Sequence, residues 1–80
     1  MTDNRIPELR SQRGLSQSQL ASRASVSLGC LKAYEQGRRS FALASLDVAL
    51  RLASALDCDV RDLLSEPVLR SIADTTRENP

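Results

Sequence analysis

The middle of the chain, residues 13–39, reads RGLSQSQLASRASVSLGCLKAYEQGRR. Ser16 stands three residues before Gln19, the spacing of a capping box, which predicts a helix from about Gln17 to Ala24. After a break at Ser25-Val26-Ser27, Ser27 can cap another helix that runs from Leu28 to about Gln36, where Gly37 closes it. Two helices of about eight residues joined by a turn of three or four form the helix-turn-helix pattern.

The residues before this segment predict a first helix. Asn4 or Asp3 can cap it, and Pro7 is tolerated because it falls in the first turn, where no N–H is needed. Gly14 is expected to end this helix, because a carboxyl-terminal cap favours a residue that accepts positive φ.

The residues after it predict further helices. A fourth helix covers roughly Leu43 to Leu56, with Leu46, Leu50, Ala53 and Leu56 close to helical spacing. In the segment before this helix, residues 40–44, the Phe41 side chain is expected to pack into the core.

A short fifth helix over Val60–Leu64 is expected to be capped by Asp59, with Asp62 placed to complete its capping box. Pro67 can start one or two further turns. The end of the chain, Thr75 to Pro80, is expected to fray.

Length and composition predict one all-α domain. The 80 residues are too few for two cores, and only Tyr34 and Phe41 are aromatic, so the core must be built mainly from Leu, Ala and Val. We place the domain at residues 1–66. Residues 67–80 form a tail, either a short helix or disordered, that can supply a dimer contact. A core of this size gives modest stability, so dimerisation is expected.

Charge is distributed unevenly along the chain. The net charge is only +1, but residues 5–39 carry seven basic and two acidic side chains, whereas residues 40–80 carry four basic and seven acidic ones. A basic first half fits a polyanionic partner, although a solvated mixed surface would look the same by composition.

The residue types argue against a metal site, a cofactor or enzyme chemistry. The chain has no histidine and only two cysteines, Cys30 and Cys58, which are too few and too far apart for a zinc site. No glycine-rich phosphate loop or nucleophile–base pair is visible. A disulfide is possible by count, but two reduced thiols in a cytoplasmic protein are the favoured interpretation. No signal peptide or membrane-length apolar run is found, so we expect a cytoplasmic, nucleoid-associated protein.

Several short motifs occur in order along about residues 5–65: Arg10, Arg13-Gly14-Leu15-Ser16-Gln17, Leu20-Ala21, Val26-Ser27, Leu31, Tyr34-Glu35-Gln36-Gly37-Arg38-Arg39, Leu52-Ala53, Leu56 and Leu63-Leu64. Taken together, they resemble the lambda-repressor-like (XRE, Cro/cI-type) helix-turn-helix family. The resemblance implies a compact five-helix domain, with the helix-turn-helix at the second and third helices, that binds double-stranded DNA as a homodimer.

The resemblance also implies roles for individual residues. Ser16 and Gln17, at the amino end of the second helix, are expected to contact DNA phosphates. Arg38 and Arg39, after the third helix, are expected to do the same, although they could be solvated loop arginines. Arg10 and Glu35 are expected to form a partly buried ion pair between the first and third helices.

The base-reading face is expected to comprise Ser27, Leu28, Gly29, Lys32 and Ala33, since residues four apart share one face of a helix. Only Lys32 can donate to a guanine edge, while Leu28 and Ala33 can contact thymine methyl groups. Gly29 reads nothing but allows close approach. Few side chains on this face can therefore read bases directly. Either the sequence preference comes partly from DNA shape, or binding is weakly specific, or this face has another function.

One residue departs from the family pattern inside the turn. Ser25 stands where the family usually has glycine, at a position that needs positive φ. Serine can adopt that conformation at some energetic cost.

Two function hypotheses follow. The first is a dimeric transcriptional regulator, most simply a repressor, with no small-molecule effector evident. The second is a protein-interaction module, or an antitoxin-like partner of another protein, that uses the apolar face of the third helix. The candidate dimer residues are Leu63, Leu64, Val68, Leu69 and Ile72, although the tail could instead fold back on its own core.

Overall fold

Short connections join the helices of the protein. The computed structural model describes the backbone of residues 3–78 and the side chains of residues 3–72. Within that part of the chain the elements are α1 (Ile6–Gln12), α2 (Gln17–Ala24), α3 (Leu28–Glu35), a 3₁₀ turn (Phe41–Leu43), α4 (Leu46–Ala55), α5 (Val60–Leu63) and α6 (Glu66–Glu78). The all-α class is confirmed, and α1–α5 correspond to the five predicted helices.

Local capping explains where α2 begins and ends. The Ser16 hydroxyl accepts from the Gln19 backbone N–H at 3.0 Å, and the Gln19 side chain accepts from the Ser16 N–H at 2.8 Å, so the predicted capping box is present. At the other end Ser25 takes the left-handed conformation, with φ 57° and ψ 41°. Gly14 and Gly37 also have positive φ, as expected for residues that close helices.

The core lies where α2, α3, α4 and α5 meet, with α1 packed beside them. Its fully buried large side chains are Ile6, Leu20, Leu31, Leu52, Leu56 and Leu63. Tyr34 and Phe41 pack edge to face with ring centroids 5.4 Å apart. Phe41 therefore fixes the 3₁₀ turn against α3, which confirms its predicted burial.

The fourth helix differs from the prediction. Ser45 caps it, accepting from the Val48 N–H at 3.2 Å, so α4 begins at Leu46 rather than near Leu43. Its buried stripe runs through Ala49, Leu52, Ala53 and Leu56. Leu46 and Leu50, predicted to stand in the apolar stripe, are instead 70% and 52% exposed. Two overlapping apolar stripes exist in this sequence, and packing against α2 selects the one that contains the alanines.

The amino-terminal residues serve two different elements. Asn4 accepts from the Ile6 N–H at 3.1 Å and donates to the Tyr34 carbonyl at 3.0 Å, so it does lie at the start of α1. Asp3 does not cap α1. Its carboxylate accepts from the Ser40 hydroxyl and from the backbone N–H groups of Phe41 and Ala42, both at 3.1 Å. Asp3 therefore caps the 3₁₀ turn.

The tail is more regular than predicted. It forms α6, which starts at Glu66 and continues to Glu78, so the expected fraying from Thr75 is wrong as far as Glu78. The rest of that prediction, on residues 79 and 80, lies outside the described residues. The helix explains the strong amphipathic spacing of Val68, Leu69 and Ile72.

Candidate nucleic-acid interface

The turn between α2 and α3 is built from local hydrogen bonds. The Val26 N–H donates to the Ala21 carbonyl at 3.0 Å, and Ser27 caps α3 by accepting from the Cys30 N–H at 3.1 Å. The Arg51 guanidinium, from α4, donates to the Ser25 carbonyl at 3.2 Å. The left-handed Ser25 is thus held by a hydrogen bond from outside the turn, and no local sequence signal predicts this role of Arg51.

A shared carboxylate links three elements at one end of α3. Arg10 donates to Glu35 through Nε at 2.8 Å and through Nη2 at 3.1 Å, and its Nη1 donates to the Leu15 carbonyl at 2.9 Å. The Glu35 side chain is only 5% exposed. The ion pair implied by the family resemblance is therefore present, and it is bidentate, the geometry that strengthens such pairs.

Gln17 completes this network. Its Nε2 donates to Glu35 Oε1 at 3.1 Å, which places the amino end of α2 beside the carboxyl end of α3. Ser16 is exposed and Gln17 is half-buried there. Because the amino end of a helix carries unpaired N–H groups and a partial positive charge, this end of α2 suits an anion.

Two arginines follow α3 on the same side. The backbone N–H groups of Arg38 and Arg39 both donate to the Ala33 carbonyl, at 2.9 and 3.2 Å. The Arg39 guanidinium lies over the Tyr34 ring, 5.5 Å from its centroid, and its Nη1 is 3.9 Å from Cys30 Sγ. Both arginines are exposed. They flank α3 with positive charge that no described ion pair neutralises.

The predicted base-reading face is smaller than expected. Ser27 and Gly29 are exposed, and Leu28 and Lys32 are half-buried. Ala33 is only 8% exposed, because it shares the inner side of α3 with Tyr34 and Leu31, so its assignment to the exposed face is wrong. A Cβ added at Gly29 would meet nothing within 4 Å, so the surface of α3 is open at that point. The loss of Ala33 also weakens the alternative of a protein-docking apolar face on α3.

The predicted dimer residues are unevenly accessible. Leu63 is fully buried in the core and cannot contact a second protomer, so its inclusion is wrong. Leu64, Val68 and Leu69 are half-buried, and Ile72 is 46% exposed.

The described residues offer no site for metal chemistry, and their two cysteines are unbridged. They contain no cluster of three or more histidine, cysteine or acidic side chains that could hold a metal. Cys30 and Cys58 are both free and half-buried, and burial raises the pKa of the Cys58 thiol above its ordinary value. None of the helices described is both long and apolar enough to cross a bilayer.

Comparison with known families identifies the chain. The family model described as a helix-turn-helix domain matches residues 5–66, most of the sequence. The chain is a helix-turn-helix protein. This helix-turn-helix protein has the lambda-repressor-like fold of DNA-binding transcriptional regulators. Curated protein sequences gave no match.

Solved structures that resemble the helix-turn-helix protein include the following two. One is the restriction-modification controller protein C.AhdI from Aeromonas hydrophila, which is 38% identical, with a TM-score of 0.65, covering 72% of this chain and 83% of that one. The other comes from the complex of the SinR and SinI proteins and is 23% identical, with a TM-score of 0.70, covering 99% of this chain and 82% of that one. The first supports both family and fold, and the second supports the fold alone.

Proposed function

We propose that the protein binds double-stranded DNA with sequence preference, as a homodimer that places α3 of each protomer in the major groove, and acts as a transcriptional repressor in the cytoplasm, on the nucleoid. The observation that carries this proposal is the contact between Gln17 and Glu35, 3.1 Å between Nε2 and Oε1. It brings the amino end of α2 to the end of α3 that Arg38 and Arg39 follow. Phosphate-binding groups are thereby gathered beside a helix-turn-helix.

The phosphate contacts are assigned to Ser16, Gln17, Arg38 and Arg39. The first two lie at a helix amino end, where N–H groups donate to an anion, and the arginines add exposed positive charge. Such contacts fix the register of the protein on the duplex and supply salt-dependent affinity. They carry no sequence information themselves.

Base reading is assigned to Ser27, Leu28, Gly29 and Lys32. Lys32 can donate to guanine O6 or N7, and Leu28 can contact a thymine methyl group. Gly29 has open space around it and lets the groove floor come close to the α3 backbone. With so few base-reading side chains, we propose that DNA shape contributes part of the sequence preference.

The regulatory role is proposed from similarity. C.AhdI, 38% identical over most of both chains, is a restriction-modification controller protein. We propose the same kind of controller role here, in preference to a phage-type repressor or an antitoxin-like autorepressor.

The test is selection from a random duplex pool at ~150 mM salt, where counterion release has already weakened non-specific binding. We expect enrichment of a two-fold-symmetric motif whose half-sites are centred about one helical turn, roughly 34 Å, apart. Binding that appears only at low salt and enriches no motif would contradict the proposal.

A further inference from the structure

The path of the chain from α2 into α3 depends on one residue in an unfavourable backbone conformation. Ser25 has φ 57°, in the left-handed region that residues with a Cβ rarely adopt. The Val26 N–H donates to the Ala21 carbonyl at 3.0 Å. The Ser25 N–H donates to the Ser22 carbonyl at 3.2 Å, and the two bonds together form a Schellman motif. The motif requires a conformation that serine does not prefer.

A side chain from α4 holds this conformation. Arg51 Nη1 donates to the Ser25 carbonyl at 3.2 Å, although the two residues are 26 positions apart. Arg51 Nε donates to Asp47 Oδ1 at 2.9 Å, and because the guanidinium is planar and rigid, this bond also fixes the direction of Nη1. The Arg51 and Asp47 side chains are 48% and 69% exposed, and an exposed ion pair adds little to the free energy of unfolding. The main effect of Arg51 is therefore on the geometry of the turn.

The position of the amino end of α3 depends on this turn. α3 packs on α2, and α2 in turn packs on α4. The carboxyl end of α3 is held by the ion pair of Arg10 with Glu35, whereas its amino end follows the turn directly. Residues 27–29, at that amino end, are assigned to base reading, and the first residues of a recognition helix are the ones that contact base edges. The Ser25 carbonyl lies only two residues before them.

We infer that Arg51 is a positioning residue for DNA binding, which keeps Ser25 left-handed and thereby sets the direction of the amino end of α3. The inference rests on the proposed function, because it takes α3 to be the helix that enters the groove. Without Arg51, other conformations of Ser25 compete with the left-handed one. Apparent affinity falls in proportion to the fraction of molecules in the binding-competent conformation. Glycine would adopt the left-handed conformation without this help, so the need for Arg51 arises from the serine.

A direct contact of Arg51 with a DNA phosphate would give a different result. Such a contact contributes to the salt dependence of binding, whichever residue stands at position 25. A positioning role depends on Ser25 and leaves the salt dependence unchanged. Combining changes at the two positions therefore distinguishes the two roles.

The test is a cycle of three variants of the full chain: Arg51→Met, Ser25→Gly and the two changes combined. Fluorescence anisotropy measures the Kd for the selected duplex at several salt concentrations. The matched control is Arg70→Met, because Arg70 pairs with Glu66, four residues before it, as Arg51 does with Asp47, but lies on α6. Circular dichroism reports whether each variant keeps its helices.

We expect Arg51→Met to raise the Kd about tenfold, with an unchanged slope of log K against log salt. In the Ser25→Gly background the same change should raise the Kd by less than about threefold, as should Ser25→Gly or Arg70→Met alone. An equal loss of affinity in both backgrounds, or a slope reduced by about 1, would overturn the inference, because Arg51 would then act on the DNA itself. A Kd that Arg51→Met leaves unchanged would overturn it too.

A measurement without DNA separates the failure of this inference from that of the proposed function. The hydrogen bond from the Val26 N–H to Ala21 requires the left-handed Ser25, so the exchange rate of this amide hydrogen reports opening of the turn. We expect exchange about tenfold faster in Arg51→Met and restored when Ser25→Gly is added. That result from a chain that enriches no DNA motif refutes the proposed function alone. An enriched motif, with Val26 exchange and Kd both unaffected by Arg51→Met, refutes the positioning role alone.

Discussion

Gln17 and Glu35 are joined by a hydrogen bond of 3.1 Å, from Nε2 to Oε1. The same oxygen accepts from Arg10 Nη2, also at 3.1 Å. A side chain assigned to phosphate contact is therefore oriented by a buried ion pair that begins on α1. The packing of α1 and the surface proposed for DNA are parts of one hydrogen-bonded network.

The first prediction concerns this ion pair. We expect Arg10→Met to lower the free energy of unfolding by about 3 kcal/mol or more, because it leaves the nearly buried Glu35 carboxylate without its counter-charge. Urea denaturation measures the loss. The control is Arg70→Ala, which breaks the exposed pair with Glu66 at 3.5 Å and should cost less than about 0.5 kcal/mol.

A double variant separates two contributions to the free energy of unfolding: the cost of leaving one buried charge unpaired, and the stabilisation that the ion pair itself provides. Arg10→Met/Glu35→Leu removes both charges and should recover much of the stability, since apolar replacement of a buried pair is often neutral. A double variant as unstable as the sum of both single variants would show that the pair itself, not the stranded charge, dominates.

Phosphate contacts give the second prediction. Arg38→Ala and Arg39→Ala should each weaken DNA binding similarly across sequences and reduce the slope of log K against log salt by about 1. A salt titration by fluorescence anisotropy measures this. Arg70→Ala, on α6, serves as the control and should keep the original slope. If the slope is unchanged in both variants, the two side chains are solvated loop residues.

Gly29 gives the third prediction. Gly29→Ala should stabilise the fold by up to about 1 kcal/mol, because alanine favours a helix and its Cβ meets nothing within 4 Å. The same change should weaken binding to the selected duplex if the α3 backbone approaches the bases closely. Urea denaturation and anisotropy measure the two effects. Gly14→Ala, at φ +67°, should instead destabilise the protein. Stronger DNA binding by Gly29→Ala would argue against close approach.

Acid stability gives the fourth prediction. Partial burial of Asp3 opposes its ionisation, but hydrogen bonds from Ser40, Ala42 and Phe41 outweigh burial and lower the pKa of the carboxyl below 3.8. A depressed folded-state pKa means that the stabilisation is present above the unfolded-state value and is lost as pH falls through the folded-state value.

We therefore expect Asp3→Ala to cost about 1 kcal/mol near neutral pH, the usual worth of a capping carboxylate. The difference in the free energy of unfolding between this variant and the unmodified protein should disappear below about pH 4. Urea denaturation across this range measures it, and Asp3→Asn, which cannot ionise, should converge with the unmodified protein in the same range. A difference in the free energy of unfolding that does not change with pH would refute the role of the Asp3 negative charge.

Local chemistry explains which parts of the fold could be predicted. The bounds of α2 follow from Ser16, Gln19 and Ser25, whose interactions span a few residues, and they were predicted correctly. Which side of α4 is buried could not be predicted. Leu46 and Leu50 form one apolar stripe and Ala49 and Leu52 another, and only packing against α2 decides which of the two is buried. The exposure of Ala33 is wrongly predicted for the same reason. Helical spacing gives the relative directions of the side chains on α3, but it does not give how much of the helix is buried in the core.

The long-range contacts of the amino-terminal residues could not be predicted from the sequence either. Nothing near Asp3 in sequence indicates that its carboxylate caps a turn at residues 41–43, so the sequence offers it only as an alternative to Asn4 for capping the first helix. The residues proposed for DNA recognition follow from the sequence pattern, whereas the hydrogen bond from Arg51 to Ser25 depends on a contact between residues 26 positions apart.

The amino-terminal segment also sets the order in which the domain can be completed during synthesis. Besides the Asp3 cap, the Arg5 N–H donates to the Leu63 carbonyl at 2.7 Å, and the Ser65 N–H donates to the Asp3 carbonyl at 3.0 Å. Residues 3–5 thus find their partners at Leu63 and Ser65 only after about sixty more residues have been made. Until then the amino end of α1 is held only by earlier partners, such as the contacts of Asn4 with Ile6 and Tyr34, and the contacts that join residues 3–5 to residues 63–65 form last.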